Sequence, residues 1–185
     1  MTEENVKLEK VNKSSKFVMI VTRIVCIIMI CATVLTFIAA VYMFVSHDKF
    51  DGSIPDVVRA RIDSNVILSE PVTSDVPALQ AYFDENADSY GIKISILVAG
   101  ASLISAIVAV ALSLISGAFA VIVKEGNPFT DKAIKKMLIA LIFISAALFF
   151  TNGMGTGVIA GLITWAVYTI MDYGRILKVQ SDETL

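Results

Sequence analysis

Charged residues are scarce in this chain of 185 residues, at 17% of the total, while 56% are hydrophobic. A soluble domain of this length carries more charge and interrupts its apolar runs, so the composition argues against one. The sequence has instead apolar runs longer than the ~18–20 residues that cross a bilayer core about 30 Å thick. We therefore predict an all-α integral membrane protein, with the lipid bilayer as its first partner.

Cysteine and histidine are nearly absent, which restricts redox and metal chemistry. Cys26 and Cys31 lie in the first apolar run, and His47 is the one histidine. A spacing of five places the two thiols on different faces of a helix, which disfavours a disulfide between them. No CxxC pattern is present. His47 with Asp48 and Asp51 is a weak metal candidate, and a surface cluster beside the membrane is the simpler interpretation, so we predict no metal and no cofactor.

The familiar catalytic patterns are missing as well. The sequence contains no HExxH, GxSxG, Walker or GxGxxG pattern. The apolar runs contain no carboxylate pair and no histidine–carboxylate pair, which proton-coupled transporters and intramembrane proteases use. Arg23 lies one to two turns inside the first run, from which its side chain can extend to the interface; a functional buried arginine is the alternative. We predict no enzymatic activity and no catalytic residues.

Four apolar runs predict four transmembrane helices. The predicted spans are residues 17–46, 92–123, 134–150 and 154–171, and we interpret the chain, residues 1–185, as a single membrane domain. The run TNGMGTG between the last two spans consists of small and polar residues, which predicts a turn of seven residues and a tight helical hairpin. Polar tails precede span one and follow span four.

One sizeable polar segment, residues 47–91, separates the first two spans. It contains nine acidic and three basic residues, and three of the four prolines of the chain. The run DVVRARIDSNV suggests a short helix. Pro77 suggests the first turn of another, with Ser74 or Asp75 as its cap. The apolar residues of that helix share one face, which predicts a folded acidic cap rather than a flexible linker.

The distribution of basic residues predicts the orientation in the membrane. The N-terminal tail with Arg23 has five, the segment KEGNPFTDKAIKK (residues 124–136) has four, and the tail after span four has two. Lys and Arg accumulate in the short segments that stay in the cytoplasm. With four spans all three basic segments fall on one side, so we predict that both termini are cytoplasmic and that residues 47–91 are external.

The segment between spans two and three carries signals of its own. Gly126 and Pro128 end span two, since glycine adopts the left-handed cap and proline cannot continue a helix. Thr130 is a candidate N-cap for span three, and Asp131 lies near the positive end of that helix. Phe129 is an apolar side chain in a polar turn, so we expect it either to close the base of the helix bundle or to anchor a partner.

Small residues recur every four positions in two of the spans. They form a five-member ridge in span two and a double GxxxG at the start of span four. The members are Ala101, Ser105, Ala109, Ser113 and Gly117, and Gly153, Gly157 and Gly161. Small residues let helix backbones approach closely in lipid, where apolar burial gives little drive. Two interpretations stay open: the stripes pack the helices of one chain, or one of them is the seam of a homo-oligomer or a docking face for another membrane protein.

Two stretches resemble a known family. The turn GNPFT (residues 126–130) is similar to the G-x-P-F turn between spans two and three of the bacterial membrane proteins called domain of unknown function 2975. The run YGRILKVQSDETL (residues 173–185) is similar to that family's closing YG-x-x-LQ-x-x-x-DETL, with Lys178 where the family has glutamine. The resemblance covers the four-span plan and its external loop. It implies a small protein of the bacterial plasma membrane, often encoded beside a helix-turn-helix regulator.

These features predict an interaction or regulatory protein rather than an enzyme. We expect its cytoplasmic face to bind a helix-turn-helix regulator or a membrane complex, and not nucleic acid itself. The candidate partner-binding residues are Pro128, Phe129, Thr130, Tyr173, Gly174, Leu177, Asp182 and Glu183. In that arrangement Phe129 and Leu177 either pack together and seal the bundle or contact the partner.

A transport or immunity component is the alternative function. It needs a polar path between the helices, and hydroxyl side chains in the spans are available to line one. They include Ser102, Ser105, Ser113, Ser116 and Thr164.

Overall fold

The chain folds into α-helices in the computed structural model, which describes residues 3–63 and 71–183. Within these residues the elements are α1 (Glu3–Val45), α2 (His47–Ser53), α3 (Asp56–Asp63), α4 (Pro77–Glu85), α5 (Tyr90–Glu125), α6 (Asp131–Asn152) and α7 (Met154–Glu183). The all-α class is therefore confirmed.

Four of these helices are long and apolar enough to cross a membrane. Their apolar stretches are Glu9–Val45, Tyr90–Glu125, Asp131–Asn152 and Met154–Ser181. Many of their large apolar side chains are exposed, among them Phe37, Ile142 and Leu162. A helix satisfies its own backbone hydrogen bonds, so it can lie in lipid without exposing unpaired backbone groups. Apolar side chains on its surface then contact the acyl chains. The four predicted spans are confirmed as helices of a multi-pass membrane protein.

The first and last helices extend beyond the predicted spans. α1 has 43 residues and α7 has 30, which at ~1.5 Å per residue makes them about 65 Å and about 45 Å long. The two polar tails are therefore largely continuations of α1 and α7. Once a helix is nucleated, each further residue adds one backbone hydrogen bond, and neither tail contains a proline to stop this.

The turn between α6 and α7 is shorter than the predicted seven residues. Gly153 is the only residue of TNGMGTG outside a helix. Its φ of 90° and ψ of 175° lie in a region that glycine alone occupies readily, and its N–H donates to the carbonyl of Phe149 at 3.1 Å. The predicted length is wrong because one glycine in this conformation reverses the chain.

The contacts divide the chain into two compact units. Unit one comprises the described residues up to Ile30 and from Ile107 onwards, and unit two comprises Cys31–Ala106. The interpretation of the chain as one membrane domain stays a prediction. The turn between α5 and α6 and all the partner-binding candidates belong to unit one, and the acidic segment belongs to unit two.

Alanine dominates the buried interior of unit one. The buried apolar residues there are Cys26, Ala109, Ala118, Ile122, Ala133, Ile134 and Ala140. The thiol of Cys26 donates to the carbonyl of Ala109 at 3.4 Å, which joins α1 to α5. The hydroxyls of Ser145 and Thr164 lie 2.9 Å apart and join α6 to α7. Small side chains at these positions allow the close helix approach that substitutes for the hydrophobic effect in lipid.

The described part of the acidic segment, residues 47–63 and 71–91, contains a helix that was not predicted. α3 and α4 correspond to the two predicted helices, with residues 64–66 of the first outside the described part, whereas α2 has no predicted counterpart. The predicted cap of α4 is wrong: Val76 is the N-cap, without a side-chain hydrogen bond. Because Pro77 opens the helix, the residue before it takes the cap position, and the hydroxyl of Ser74 instead accepts from the N–H of Val76 at 3.2 Å.

Candidate interaction surface

The turn between α5 and α6 is built by local hydrogen bonds. Gly126 has a φ of 66°, in the left-handed region, and ends α5 as predicted. The side-chain oxygen of Asn127 accepts from the N–H of Phe129 at 2.9 Å, and Asn127 is only 8% exposed. An Asn side chain that bonds to the backbone two residues later holds a turn in one conformation. The turn therefore presents Phe129 in a defined position.

Thr130 begins α6, which confirms the predicted N-cap. Its hydroxyl oxygen accepts from the N–H of Ala133 at 3.3 Å, and its hydroxyl donates to the carboxylate of Glu125. The same carboxylate lies 3.8 Å from the ammonium of Lys132. Thr130 therefore links the last residue of α5 to the first turn of α6.

Phe129 packs against α7 at Gly174. A Cβ added to Gly174 would lie 2.4 Å from Cε1 and 2.6 Å from Cδ1 of the Phe129 ring. A side chain at position 174 would displace the Phe129 ring, so the glycine lets the ring lie directly against the helix. The turn after α5 and the last third of α7 are thereby joined in unit one.

Arg175 forms one ion pair with α6 and one within α7, next to the contact of Phe129 with Gly174. Its guanidinium donates to Asp131 at 2.6 Å and lies 2.7 Å from the carboxylate of Asp172. The side chains of Arg175 and Asp131 are 43% and 80% exposed, so the pairs contribute little to stability and mainly position α7 beside the start of α6. We call residues 125–131 with residues 172–175 the turn surface.

α7 continues beyond the turn surface. Arg175 pairs with Asp131, the first residue of α6. The residues of α7 that follow Arg175 therefore extend beyond the N-terminal end of α6. Residues 176–183 form this overhang, which is about 12 Å long at ~1.5 Å per residue. Ile176, Leu177 and Val179 on it are 46%, 47% and 52% exposed.

The structure brings together part of the predicted partner-binding set. Pro128, Phe129 and Thr130 lie with Gly174 at the turn surface, and Tyr173 beside them is 62% exposed. Leu177 lies on the overhang, and the side chains of Asp182 and Glu183 lie outside the described residues. The sequence interpretation missed Glu125, Asn127 and Arg175. The spacing of Asp172 and Arg175 by three in a helix was the one signal for an ion pair.

The five-member ridge of α5 does not form one buried stripe within the chain. Ala109 is 6% exposed, whereas Ala101 and Ser113 are exposed. Four buried small residues of α5 recur every seven positions, and they are Ser95, Ser102, Ala109 and Ser116. Ala118 is also buried, two residues after Ser116. Steps of four turn by about 40° beyond a full circle, so five members sweep about 160° around the helix. Steps of seven drift by only about 20° each and stay on one side.

The three glycines near the start of α7 have three different environments. Gly153 is the turn residue. Gly157 packs against α6, where a Cβ would lie 2.5 Å from the Cβ of Phe149. Gly161 has open space around it, with no atom within 4 Å of an added Cβ. Ala101, Ser113 and Gly161 are thus free of tight contacts within the chain, and their use between chains stays a hypothesis.

Several hydroxyls proposed for a polar path form hydrogen bonds within or between helices. The hydroxyl of Ser102 donates to the carbonyl of Ala99 at 3.0 Å, and Ser105 accepts from Thr33 at 3.0 Å. Thr164 donates to the carbonyl of Ala160 at 2.9 Å. These contacts satisfy the hydroxyls inside the chain, so they supply no argument for the transport alternative.

The acidic segment is attached to the start of α5 through backbone contacts. The carboxylate of Asp51 accepts from the N–H of Gly91 at 2.7 Å, and a Cβ on Gly91 would lie 2.9 Å from Cα of His47. Arg59 donates to the carbonyl of Asp51 and lies 5.8 Å from the ring centre of Tyr90. Asp51 therefore has a structural role in unit two.

The cysteines and acidic residues form no metal centre in the described residues. No group of three His, Cys, Asp or Glu side chains in residues 3–63 and 71–183 could hold a metal ion. Cys26 is buried and Cys31 is exposed, and both are free thiols, on different sides as their spacing predicts.

Comparison of the chain with family models, with curated proteins and with solved structures finds no match. The resemblance of the turn and of the C-terminal run to the domain of unknown function 2975 therefore stays an expectation. The local geometry is the basis for any functional assignment.

Proposed function

We propose that the chain is a non-enzymatic, membrane-anchored interaction protein that binds its partner through the turn surface and the overhang. The observation that carries the proposal is the contact of Phe129 with Gly174, reinforced by the bridge from Arg175 to Asp131. This contact ties the α5–α6 turn to α7. It holds the overhang at a defined place on the surface of unit one.

The chemistry of the overhang supports a protein partner with an apolar groove. Ile176, Leu177 and Val179 are exposed next to the charged residues Lys178 and Arg175. A helix that presents apolar side chains beside charged ones binds well in a hydrophobic groove with a polar rim. A helical cytoplasmic regulator fits this description, and a helix-turn-helix protein is the partner that the family resemblance implies. A membrane complex is the second partner class.

The distribution of basic residues supports a cytoplasmic location for this surface. Lysines and arginines favour the cytoplasmic side of a membrane. The turn surface includes Arg175, and Lys124 and Lys136 flank its first segment in the sequence. We propose a bacterial plasma membrane with both termini in the cytoplasm and the acidic segment outside.

Cysteine labelling tests this orientation. In a Cys26→Ala and Cys31→Ala background, we expect Ser53→Cys to react with a membrane-impermeant thiol reagent in intact cells. We expect Lys124→Cys to react only after the cells are permeabilised. Both positions are exposed in the structure, so access and not burial decides the result. Labelling in the opposite order would contradict the proposed topology.

Deletion of residues 180–185 together with Ile176→Ser and Val179→Ser tests the function. We expect crosslinking in native membranes to recover one cytoplasmic protein with the unmodified chain. With the variant, we expect the recovered amount of that protein to fall about tenfold or more. A tenfold change corresponds to about 1.4 kcal/mol of binding free energy, within the range of a few interface contacts. Membrane insertion and abundance are expected to stay unchanged.

A Val57→Ser variant is the matched control. Val57 is 82% exposed on α3, in the acidic segment, so its replacement removes an exposed apolar side chain at the other candidate face. We expect it to retain the crosslinked protein. If the overhang variant keeps the partner and Val57→Ser loses it, the interaction surface lies on the acidic segment and the proposal is wrong.

A further inference from the structure

The first turns of α6 carry three lysines on one exposed face. Lys132, Lys135 and Lys136 are all exposed, and spacings of three and four place them side by side on a helix. Lys132 lies 3.8 Å from Glu125. Among the described residues, the ion pairs near the start of α6 involve Lys132 and Arg175, and they do not involve Lys135 or Lys136. Positive charge is therefore in excess on this face.

The same face of α6 is apolar further along the helix. Ile139 and Phe150 are 46% and 84% exposed, and Ala146 between them is also exposed. At ~100° per residue these side chains lie within about 40° of Lys132 around the helix axis. The buried residues Ala133, Ile134 and Ala140 lie on the other sides. A lysine cluster and an apolar strip thus form one continuous exposed surface, the α6 strip.

We propose that the α6 strip binds a phospholipid with a negatively charged headgroup. The lysines hold the headgroup phosphate, and the acyl chains lie along Ile139 and Ala146. The ten helical steps from Lys136 to Ala146 span about 15 Å, which is half of a hydrocarbon core about 30 Å thick and the depth of one leaflet. The charge and the length of the strip therefore both match one lipid molecule.

A second copy of the chain is a poorer occupant of the α6 strip. Soluble and membrane homodimers are mostly two-fold symmetric, so a dimer across this face in one membrane would bring the two lysine clusters together. Like charges placed opposite each other oppose association. An anionic headgroup instead neutralises the cluster, and cationic residues near an anionic membrane surface each strengthen binding.

Native mass spectrometry of the full chain in neutral detergent tests the proposal. Phosphatidylglycerol and phosphatidylcholine with the same acyl chains are titrated separately, and we expect a clear preference for phosphatidylglycerol. We expect the triple variant Lys132→Gln, Lys135→Gln, Lys136→Gln to lose about tenfold or more in apparent affinity, since each lysine near an anionic surface contributes roughly fivefold. The corresponding triple Lys→Arg variant keeps the charge and is expected to keep the preference.

The matched control removes three lysines from α1 instead. Lys10→Gln, Lys13→Gln, Lys16→Gln makes the same change in net charge at exposed positions and is expected to bind phosphatidylglycerol as the unmodified chain does. Equal losses in the two triple Gln variants would overturn the proposal, because they would show diffuse attraction and no site on α6. Glycerol 1-phosphate that competes as well as the lipid would also overturn it, by showing a site for free phosphate.

Discussion

Replacement of Gly157 by alanine is expected to lower the free energy of unfolding by about 1–3 kcal/mol, the usual cost of overpacking a close contact. A Cβ at Gly157 would lie 2.5 Å from Cβ and 2.7 Å from Cα of Phe149. The Cα belongs to the backbone of α6, so no rotation of a side chain relieves the collision. α6 and α7 must therefore move apart next to their turn. Thermal unfolding of the purified chain in detergent measures the loss.

Gly161→Ala is the control for this prediction. It lies one helical turn further along α7, where an added Cβ meets nothing within 4 Å. Alanine stabilises a helix interior relative to glycine by roughly 0.5–1 kcal/mol, so we expect an unchanged or slightly higher unfolding temperature. Equal destabilisation by the two variants would show that the close approach of α6 and α7 at Gly157 is wrong.

Ala109→Leu is expected to destabilise the chain strongly, whereas Ser113→Leu is expected to have little effect. Ala109 is 6% exposed and its carbonyl accepts from the thiol of Cys26 at 3.4 Å. A leucine there has to push α1 away from α5, at a cost of about 1–3 kcal/mol or more. Ser113 is exposed, so a leucine at that position faces lipid or detergent.

Unfolding temperature and molecular mass in detergent decide between the outcomes. Similar destabilisation by both variants would contradict the burial pattern of α5 and restore the ridge with a spacing of four. A Ser113→Leu variant that keeps its stability but changes its mass would show that the exposed part of the ridge is the seam of a homo-oligomer. An unchanged mass leaves Ala109 as the packing residue within the chain.

The number and approximate position of the membrane helices follow from the sequence. An apolar run that exceeds the bilayer thickness must satisfy its backbone hydrogen bonds internally, and one helix per run is the only simple solution. The ends of the turn between α5 and α6 were also predictable. Gly126 and Thr130 act through their own backbone or through residues three positions away, so local sequence is sufficient.

Helix ends without a local signal were predicted less well. The polar tails before span one and after span four lack the long apolar runs of the spans, which suggests segments outside the helices, yet both continue the helices. At the turn between α6 and α7 the sequence has too many turn signals. Several glycines and polar residues surround Gly153, the one residue that reverses the chain. Composition gives the region of a turn, and only backbone geometry gives its residue.

The faces that pack were decided by the tertiary structure. Five small residues of α5 recur at a spacing of four in the sequence. The buried face of α5 instead contains small residues at a spacing of seven, so Ala109 is buried and Ser113 is not. Phe129 and Gly174 were each noticeable in the sequence, in a turn and in a closing motif. Their contact joins residues 45 positions apart. Such a pair forms only when α7 folds back along α6 and brings Gly174 next to the start of α6.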